Sequence, residues 1–345
     1  MAKPRIVFFA DTHLGFDYPV KPRVERRRRG PDFFENFRRV LEYARQTRPD
    51  VVLHGGDVFF RARVPQLIVD MVYSDMFEFA GEGIPLLIVP GNHERSILPA
   101  SLFLEHPNIY VFDQPKTFTF EMGGSRLAFS GFPCRRKDVR VRFSTLLGDS
   151  GWSQYSDACQ LLCLHQTVEG ARVGPSDYTF RRGEDVIPHS DLPGEALAVL
   201  SGHIHREQVL ASKSIGGKTT PPVIYPGSIE RTSFAERDER KGFYDISLGQ
   251  GEHGDWQIVE LEFHVLPARP MVDLTLDQSL TPSGVAEYIQ TESRNMDPDS
   301  IVRLRCEPGA SPGVKGIVTS SLLREILPET MNYQFSSDFR HRKLG

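Results

Sequence analysis

The chain has 345 residues, of which 39% are hydrophobic and 25% are charged, as in an ordinary globular protein. Its 41 Lys and Arg residues nearly balance its 45 Asp and Glu residues, which excludes both a uniformly basic DNA-coating protein and an acidic disordered chain. No apolar run approaches the roughly 20 residues of a membrane span, and the chain opens on a strand-like run without a signal-peptide core. We therefore expect a cytoplasmic protein with no membrane contact.

The first 110 residues alternate between strand and helix patterns. Strands are predicted at 5–10, 51–53 and 86–89, and helices at 33–47, with Asp32 as the N-cap, and at 64–80. Short apolar strands joined by helices are typical of a largely parallel sheet that is covered on both faces.

The pattern changes after residue 110. A hairpin is predicted within 118–130, buried strands at 161–164 and 196–200, and strands of a second sheet at 223–225, 242–246 and 256–263. A Pro-containing linker at 266–270 precedes a strand-helix-strand-helix-strand pattern. We therefore expect two domains, residues 1–265 and a small α/β domain at 266–345.

Polar residues that bind metals well follow five of the predicted strands. They are Asp11 and His13, Asp57, Asn92 and His93, His165, and His203 and His205. Ligands of open α/β sheets gather beyond the carboxyl ends of strands, so these side chains are expected to converge. Asp11 and His13 are two positions apart, and on an extended segment such residues point the same way. Glycines at 55, 56, 91 and 202 are expected to let the chain turn sharply there.

The ligand types indicate the class of metal. Imidazole, carboxylate and amide groups without a thiolate suit Mn²⁺, Fe²⁺ or Zn²⁺. Even seven of these eight side chains are too many for one tetrahedral ion, and suit two ions about 3.5–4 Å apart that share one carboxylate. Such a pair generates hydroxide at neutral pH and clamps the oxygens of a phosphoryl group, so phosphoester hydrolysis is the expected chemistry. The complete ligand set argues against a non-catalytic, metal-stabilised binding module.

The order Asp-x-His, Gly-Asp, Gly-Asn-His-Glu, His and Gly-His-x-His resembles the calcineurin-like metallophosphoesterase superfamily over residues 5–263. Several stretches are similar to the SbcD-type DNA-repair nucleases, namely 11–15 (DTHLG), 56–59 (GDVF), 165–170 (HQTVEG) and 225–231 (YPGSIER), with Lys241-Gly242-Phe243 after the last. The resemblance implies an α/β fold: a two-sheet sandwich flanked by helices, followed by a small C-terminal α/β capping domain.

The resemblance also implies a ligand set for each of two divalent ions, most simply Mn²⁺. The first ion is assigned Asp11, His13, Asp57 and His205. The second is assigned Asp57, Asn92, His165 and His203, so that Asp57 bridges the ions. His93 matches the family's catalytic histidine, which stabilises the transition-state charge or protonates the leaving oxygen. Family members usually dimerise and work with a long coiled-coil ATPase of the SbcC type, so a homodimer and such a partner are expected.

Two positions depart from the family pattern. Phe60 stands three residues after Asp57, where these nucleases often carry a histidine tied to exonuclease action, so exonuclease and endonuclease modes both stay open. Glu94 follows His93, where family members usually have Asp and where Ser/Thr protein phosphatases have Glu. However, the phosphatase pattern Gly-Asp-x-x-Asp-Arg-Gly is broken here by Phe60 and Ala62.

The leading hypothesis is a metallophosphoesterase that hydrolyses DNA, single-stranded or at duplex ends, by a hydroxide activated between two metals. The alternatives are a phosphodiesterase or phosphatase for a small molecule such as a cyclic nucleotide, and a phosphoprotein phosphatase. Two basic clusters in a net acidic chain fit either phosphate contacts or a solvated surface. One, in the loop after the first motif, is Arg26, Arg27, Arg28 and Arg29; the other is Arg135, Arg136, Lys137, Arg140 and Arg142.

Overall fold

The computed structural model describes residues 3–17, 28–100, 104–122, 124–252, 254–307 and 309–335. These residues form two compact units. The larger unit contains 3–17 and 30–267, and the smaller contains 28–29 and 268–335. Within the described ranges, no helix has both the length and the apolar character that are required to cross a bilayer.

The helices are α1 Gly30–Thr47, α2 Gln66–Ala80, α3 Val139–Asp149, α4 Val285–Arg294, α5 Pro312–Ile317 and α6 Ser320–Ile326. Short 3-10 helices span Trp152–Tyr155, His189–Asp191, Phe234–Glu236 and Pro282–Gly284. The predicted N-cap Asp32 is wrong, because α1 begins at Gly30 and Asp32 lies in its first turn. Pro31 is tolerated there since the first helical turn does not need its missing N–H group. Helix α2 begins two residues later than predicted, directly after Pro65.

The strands in chain order are β1 Arg5–Phe9, β2 Val51–His54, β3 Leu86–Ile88, β4 Ile109–Val111, β5 Lys116–Met122, β6 Ser125–Gly131, β7 Cys159–His165, β8 Thr167–Val168, β9 Arg172–Val173, β10 Tyr178–Thr179, β11 Val186–Ile187, β12 Ala198–Gly202, β13 Gln208–Leu210, β14 Lys213–Ile215, β15 Lys218–Thr220, β16 Val223–Tyr225, β17 Gly242–Gln250, β18 Trp256–Val265, β19 Met271–Leu276, β20 Ile301–Cys306 and β21 Asn332–Phe335.

The first sheet has the strand order β18-β17-β1-β2-β3-β4. Strands β1 to β4 are parallel, whereas β17 and β18 add to β1 in the antiparallel sense, with Ile6 opposite Ile246. The prediction that 242–246 and 256–263 lie in a second sheet with 223–225 is therefore wrong. The crossover connections between β1, β2 and β3 leave one edge of β1 unpaired. The sequence pattern of β17 and β18 does not indicate whether these strands pair with that edge or with the second sheet.

The second sheet has the strand order β13-β16-β12-β7-β6-β5. Its central strands are parallel, and β13 and β5 are antiparallel at the two edges. The predicted hairpin is confirmed as β5 and β6.

The two sheets pack face to face, and helices cover their outer faces. Ile6 and Phe8 of β1 contribute to the core between the sheets, while Val7 and Phe9 pack in the core with α1 and α2. Helix α3 shares a third core with the outer face of the second sheet, through Phe143 and other residues. Because strands buried on both faces are apolar at every position, their sequences are continuous rather than alternating. The predicted fold class, a two-sheet sandwich flanked by helices, is confirmed.

The smaller unit is an α/β module with its own core. Parallel strands β19, β20 and β21 form its sheet, and α4, α5 and α6 connect or follow them. Leu274, Ile289, Leu304 and Leu323 are among its buried residues. This order of elements agrees with the pattern predicted from the sequence.

Shortening a side chain between the two sheets tests this packing. Phe129 is fully buried there, so Phe129→Ala should lower the free energy of unfolding by about 3–5 kcal/mol through the cavity that it leaves. Urea denaturation measures the loss. Val259→Ala is the control, because Val259 is 45% exposed on β18 and its truncation should change stability by less than about 0.5 kcal/mol. Similar losses in both variants would contradict the two-sheet core.

Candidate dinuclear metal centre

The polar residues predicted as ligands come together where five strands end. Asp11 and His13 follow β1, Asp57 follows β2, and Asn92 and His93 follow β3 of the first sheet. From the second sheet, His165 ends β7, and His203 and His205 follow β12. The site is therefore assembled between the strand ends of both sheets.

Backbone hydrogen bonds join the loops that carry these residues. The amide of Asp11 donates to Gly56 O at 2.8 Å, and the amide of His13 donates to Asp57 O at 3.0 Å, so the β1 and β2 loops run side by side. The amide of His203 donates to Asp11 Oδ2 at 3.0 Å, and the amide of His93 donates to Asp57 Oδ1 at 2.8 Å. Each aspartate thus holds a second loop through its carboxylate.

The expectation that Asp11 and His13 lie on an extended segment is wrong. Asp11 has a φ of 52°, His13 of 44°, Asp57 of 53° and His203 of 83°, all in the left-handed region. Non-glycine residues adopt this region at a cost of order 1–3 kcal/mol, and such strain clusters at functional sites. The side chains converge because the loops turn sharply after the strands, not because alternate residues share a face.

The predicted glycines matter because other groups approach them closely. A Cβ atom on Gly91 would lie 2.1 Å from Asp57 Oδ1, and one on Gly56 would lie 2.3 Å from His165 Nδ1. A Cβ atom on Gly202 would lie 2.3 Å from Gly55 O. Only Gly56 of these also has a positive φ, of 106°. At Gly91 and Gly202, room for the neighbouring loop is therefore the decisive requirement.

One group of donor atoms comprises Asp11, His13 and His205. The Nε2 atoms of the two histidines are 2.9 Å apart, and Asp11 Oδ1 lies 4.0 Å from Nε2 of His13 and 3.8 Å from Nε2 of His205. Ligands about 2.1 Å from one ion lie within about 4.2 Å of each other. These three side chains therefore fit around one cation.

A second group is centred on Asn92. Its Oδ1 atom lies 2.9 Å from His165 Nε2 and 2.8 Å from His203 Nδ1. Asp57 lies beside both groups. A carboxylate oxygen of Asp57 is within 4.8 Å of donor atoms on His13 and His93, and the carboxylate is equally close to donor atoms on Asp11 and His165. Its Oδ2 atom is 3.4 Å from His165 Nε2. A carboxylate in this position suits a bridge between two ions.

Two imidazole rings are oriented by backbone carbonyls. Nδ1 of His165 lies 2.8 Å from Gly55 O, and Nδ1 of His93 lies 2.5 Å from Phe60 O. Because a carbonyl oxygen only accepts, Nδ1 carries the hydrogen and donates it, so Nε2 is the ring nitrogen that faces the site. His54, in contrast, contacts Thr12 and the amide of Gly56 with its two ring nitrogens, which makes it a structural residue that holds the loops together.

Burial sets the protonation of the site. It lowers the pKa of His203 to about 3 and holds the pKa of His13 well below its usual range, so both rings are neutral, as metal ligands must be. Burial raises the pKa of Asp11 to about 6. Burial opposes ionisation of Asp57 too, but the adjacent His165 outweighs it and keeps the pKa of Asp57 well below its usual range. Burial opposes protonation of His165 as well, but Asp57 outweighs it and raises the pKa of His165 to about 9, so this ring must lose a proton when it binds a metal ion. The centre thus offers neutral rings at His13 and His203 beside an ionised carboxylate.

Glu94 contributes to the site in a way that the sequence did not reveal. Its carboxylate accepts hydrogen bonds from the amide of Phe59 at 2.7 Å and from the amide of Gly91 at 2.9 Å. It therefore fastens the loop after β2 to the loop after β3, and burial raises its pKa to about 8. In the sequence, Glu94 is visible only as a departure from the family's usual aspartate.

Glu236 and Lys241 are further residues that sequence reasoning missed. Glu236 Oε1 lies 3.2 Å from His205 Nδ1, and Lys241 Nζ donates to Glu236 Oε2 at 2.7 Å. Both side chains are buried. The only sequence signal was that Lys241 lies in a stretch that is similar to the SbcD-type nucleases.

Only two of the four arginines that were predicted to bind substrate are among the described residues. Arg26 and Arg27 lie outside the described residues. Arg28 and Arg29 belong to the smaller unit, where Arg28 is half-buried and Arg29 is buried.

Comparison with protein families identifies the fold and the site together. The model of the calcineurin-like phosphoesterase family matches residues 4–207, a range that contains every proposed ligand. The chain belongs to this family. Its members are metallophosphoesterases with a dinuclear metal centre, so the resemblance seen in the sequence is confirmed.

Three relatives illustrate the similarity. The DNA double-strand break repair protein Mre11 of Methanocaldococcus jannaschii is 26% identical over 279 residues, 78% of this chain and 69% of that protein. Mre11 of Aeropyrum pernix is 26% identical over 288 residues, 79% of this chain and 64% of that protein. A component of the nuclease SbcCD of Bacillus subtilis, its SbcD chain, is 23% identical over 286 residues, 74% of this chain and 69% of that protein. The matches span about two thirds of these relatives' length.

Substitution of Gly91 tests the close approach of the β3 loop to Asp57. Gly91→Ala should displace the Asp57 carboxylate and weaken the binding of both ions, since the new Cβ atom would overlap Asp57. Calorimetric titration of the metal-free protein with Mn²⁺ measures the two affinities. Gly148→Ala is the matched control, because a Cβ atom there meets nothing within 4 Å. Unchanged Mn²⁺ binding by Gly91→Ala would contradict the proposed bridging role of Asp57.

Proposed function

We propose that this chain is a metal-dependent phosphodiesterase that hydrolyses DNA. The observation that carries the proposal is the position of Asp57, which lies within ligand distance of two groups of imidazole and oxygen donors. The choice of DNA as the substrate is supported by the relatives of this phosphoesterase. One is named as a DNA double-strand break repair protein, and another as a subunit of a nuclease.

In this proposal each group of donors holds one divalent ion, Mn²⁺ by preference. Asp11, His13 and His205 hold the first, and Asn92, His165 and His203 hold the second, with Asp57 shared. When bound, such ions neutralise charge on the phosphoryl oxygens and favour attack by water. The chain itself supplies fixed donors, since hydrogen bonds hold the ring of His165 and the carboxylates of Asp11 and Asp57 before any substrate arrives.

His93 is the proposed catalytic residue. Its Nδ1–H group is held by Phe60 O, and its Nε2 atom lies 3.9 Å from Asp57 Oδ2. Its side chain is 35% exposed, whereas the side chains of His13 and His165 are fully buried, so His93 is the histidine of these three that a substrate can reach. An imidazole in that position can hold a proton for the leaving oxygen or neutralise charge in the transition state.

Cations lie in the loops after β2, β3 and β6, which we call the rim of the site. Six of them make no ion pair with any residue in the described ranges: Arg61, Arg63, Arg95, Arg135, Arg136 and Lys137. Arg38, Arg45 and Arg126, away from the loops of the site, are all paired with carboxylates. Unpaired cations beside a phosphodiesterase centre suit a polyanionic substrate such as a nucleic-acid backbone.

Three of these cations, Arg61, Arg135 and Arg136, lie in segments that are hydrogen-bonded to the loop of Asn92 and His93. Arg61 follows Phe60, whose carbonyl binds His93, and its guanidinium lies 5.5 Å from the Phe60 ring centroid. Arg135 and Arg136 follow Cys134, whose amide donates to Pro90 O at 2.8 Å and whose carbonyl accepts from Ser96 Oγ. Both ends of the loop that carries Asn92 and His93 are therefore attached to the segment that carries the two arginines.

The wider assembly follows from the resemblance and stays part of the proposal. We assign the smaller unit as the capping domain, with a homodimer and a coiled-coil ATPase of the SbcC type as partners, and a cytoplasmic location. The Bacillus subtilis relative is named as one component of a nuclease, which supports a partner protein. The contact of Arg26–Arg29 with DNA also stays a prediction.

The substrate is tested with metal-depleted protein that is reconstituted with Mn²⁺. Linear and circular single-stranded DNA, duplex DNA and a small chromogenic diester are compared as substrates. We expect DNA cleavage that falls steeply with ionic strength, and cleavage of the circular strand would reveal endonuclease action. Hydrolysis of the small diester without any DNA cleavage would contradict the DNA assignment and favour a small-molecule phosphodiesterase.

Removing the imidazole of His93 separates catalysis from metal binding. His93→Ala should keep two bound ions per chain but reduce turnover of the small diester by about 10²–10⁴-fold, the usual contribution of a general acid or base. Elemental analysis gives the metal content, and initial rates give the turnover. If the variant instead loses an ion, His93 is a ligand, which its proximity to Asp57 and His13 would then explain.

Charge removal at the rim tests the DNA surface. Arg135→Gln with Arg136→Gln should weaken DNA binding and flatten its dependence on salt, because fewer counterions are released, while diester hydrolysis is unchanged. Fluorescence anisotropy at several salt concentrations measures the binding. Arg45→Gln with Arg126→Gln removes two remote, paired charges and should leave both properties unaltered. Equal DNA affinity in both double variants would show that the rim does not bind DNA.

A further inference from the structure

The imidazole of His205 is held differently from those of His93 and His165. Backbone carbonyls accept the Nδ1–H groups of His93 and His165, whereas the carboxylate of Glu236 lies 3.2 Å from His205 Nδ1. The Nε2 atom of His205 then faces Nε2 of His13 at 2.9 Å. A carboxylate raises the basicity of a ligating imidazole more than a neutral carbonyl does, because its full negative charge stabilises positive charge on the ring.

Glu236 is itself fixed by several donors. The hydroxyl of Thr232 donates to its Oε1 atom, and Ser228 Oγ donates to its Oε2 atom at 3.3 Å. Lys241 Nζ donates to the same Oε2 atom at 2.7 Å. Neither oxygen is therefore free to rotate away from His205.

Lys241 attaches this carboxylate to the loop of His205. Its side chain is fully buried, and its ammonium group also donates to His205 O at 3.0 Å and to Glu239 Oε2 at 3.2 Å. One lysine thus holds both the backbone of His205 and the carboxylate that orients the His205 ring.

A buried ion pair of this kind needs a reason beyond stability. Removing a lysine and a glutamate from water is costly, and their mutual attraction only about offsets that cost. Apolar residues in their place would therefore give the protein a similar stability. The pair does place a charged acceptor behind one proposed ligand, while His165, in the second group of donors, has only Gly55 O behind it. The asymmetry between the two groups is the feature to be explained.

We propose that Glu236, fixed by Lys241, is a positioning residue that strengthens His205 as a ligand. It thereby raises the affinity of the ion held by Asp11, His13 and His205 without affecting the other ion. This inference rests on the ligand assignment of the proposed function. It assigns to 236–241 a role in metal retention rather than in contact with substrate.

The test is Glu236→Gln in the full chain, titrated with Mn²⁺ alone after metal removal. The amide keeps the size of the side chain and an oxygen acceptor for His205 but removes the charge. We expect one of the two Mn²⁺ affinities to fall about 10–100-fold, as for other residues behind metal ligands, while the second changes less than about twofold. Equal weakening of both affinities, or no change in either, would overturn the proposal.

Asp245→Asn is the matched control. Asp245 is also a buried carboxylate, paired with Arg5 and hydrogen-bonded to Tyr43 at 2.7 Å, but it lies on β17 away from the donors. Its neutralisation should lower stability without changing either Mn²⁺ affinity. A selective loss like that of Glu236→Gln would show that any buried charge change produces the effect and would overturn the proposal.

A milder variant covers the case in which Glu236→Gln does not fold with Lys241 left unpaired. Thr232→Ala removes only one hydroxyl donor from Glu236, so it should weaken the same ion a few-fold and leave the other unchanged. Unchanged affinities in this variant would then count against the proposal. Because no DNA is present, a failure to cleave DNA does not affect the result, whereas a wild-type chain that binds fewer than two Mn²⁺ ions overturns the proposed function itself.

Discussion

The carboxylate of Asp57, between two groups of donors, is the constraint on which the site depends. It is ionised although it is buried, because His165 lies 3.4 Å away and the amide of His93 donates to it. The loop that carries Asp57 approaches Gly91 so closely that no side chain fits there. Because Asp57 is charged, buried and next to two groups of donors, the surrounding loops can adopt few conformations. Asp11, His13 and Asp57 itself have left-handed backbone angles, which cost conformational energy.

The sandwich makes this arrangement possible. Parallel strands of one sheet end side by side along one edge, which brings together the donors that this sheet carries. The donors are divided between the two sheets, so neither sheet alone assembles the site. Packing the sheets through Phe8, Phe129 and their neighbours places the end of β2 opposite the ends of β7 and β12. The packing of the sheets thus determines where the strand ends meet, and the strand ends determine which donors can share a metal ion. The carboxyl groups of Glu94 and Glu236 then hold the loop of Gly91 and the ring of His205 in place.

The sequence located side chains that converge in the structure, because the signals of strand ends are local. Asp11, Asp57 and His165 each follow or end an apolar strand, and strand ends can be found without knowing which strands pair. It assigned β17 and β18 to the wrong sheet, since the antiparallel pairing of β17 with β1 leaves no local signal in the sequence. It could not find Glu236, because that side chain reaches His205 from a separate segment and depends on a buried Lys241.

The most direct test is a crystal structure of the protein soaked with Mn²⁺, with the ions located by anomalous scattering. We expect two peaks about 3.5–4 Å apart, both within bonding distance of the carboxylate of residue 57, one beside His13 and His205 and the other beside Asn92. A single peak, or two peaks of which only one contacts that carboxylate, would contradict a bridged dinuclear centre.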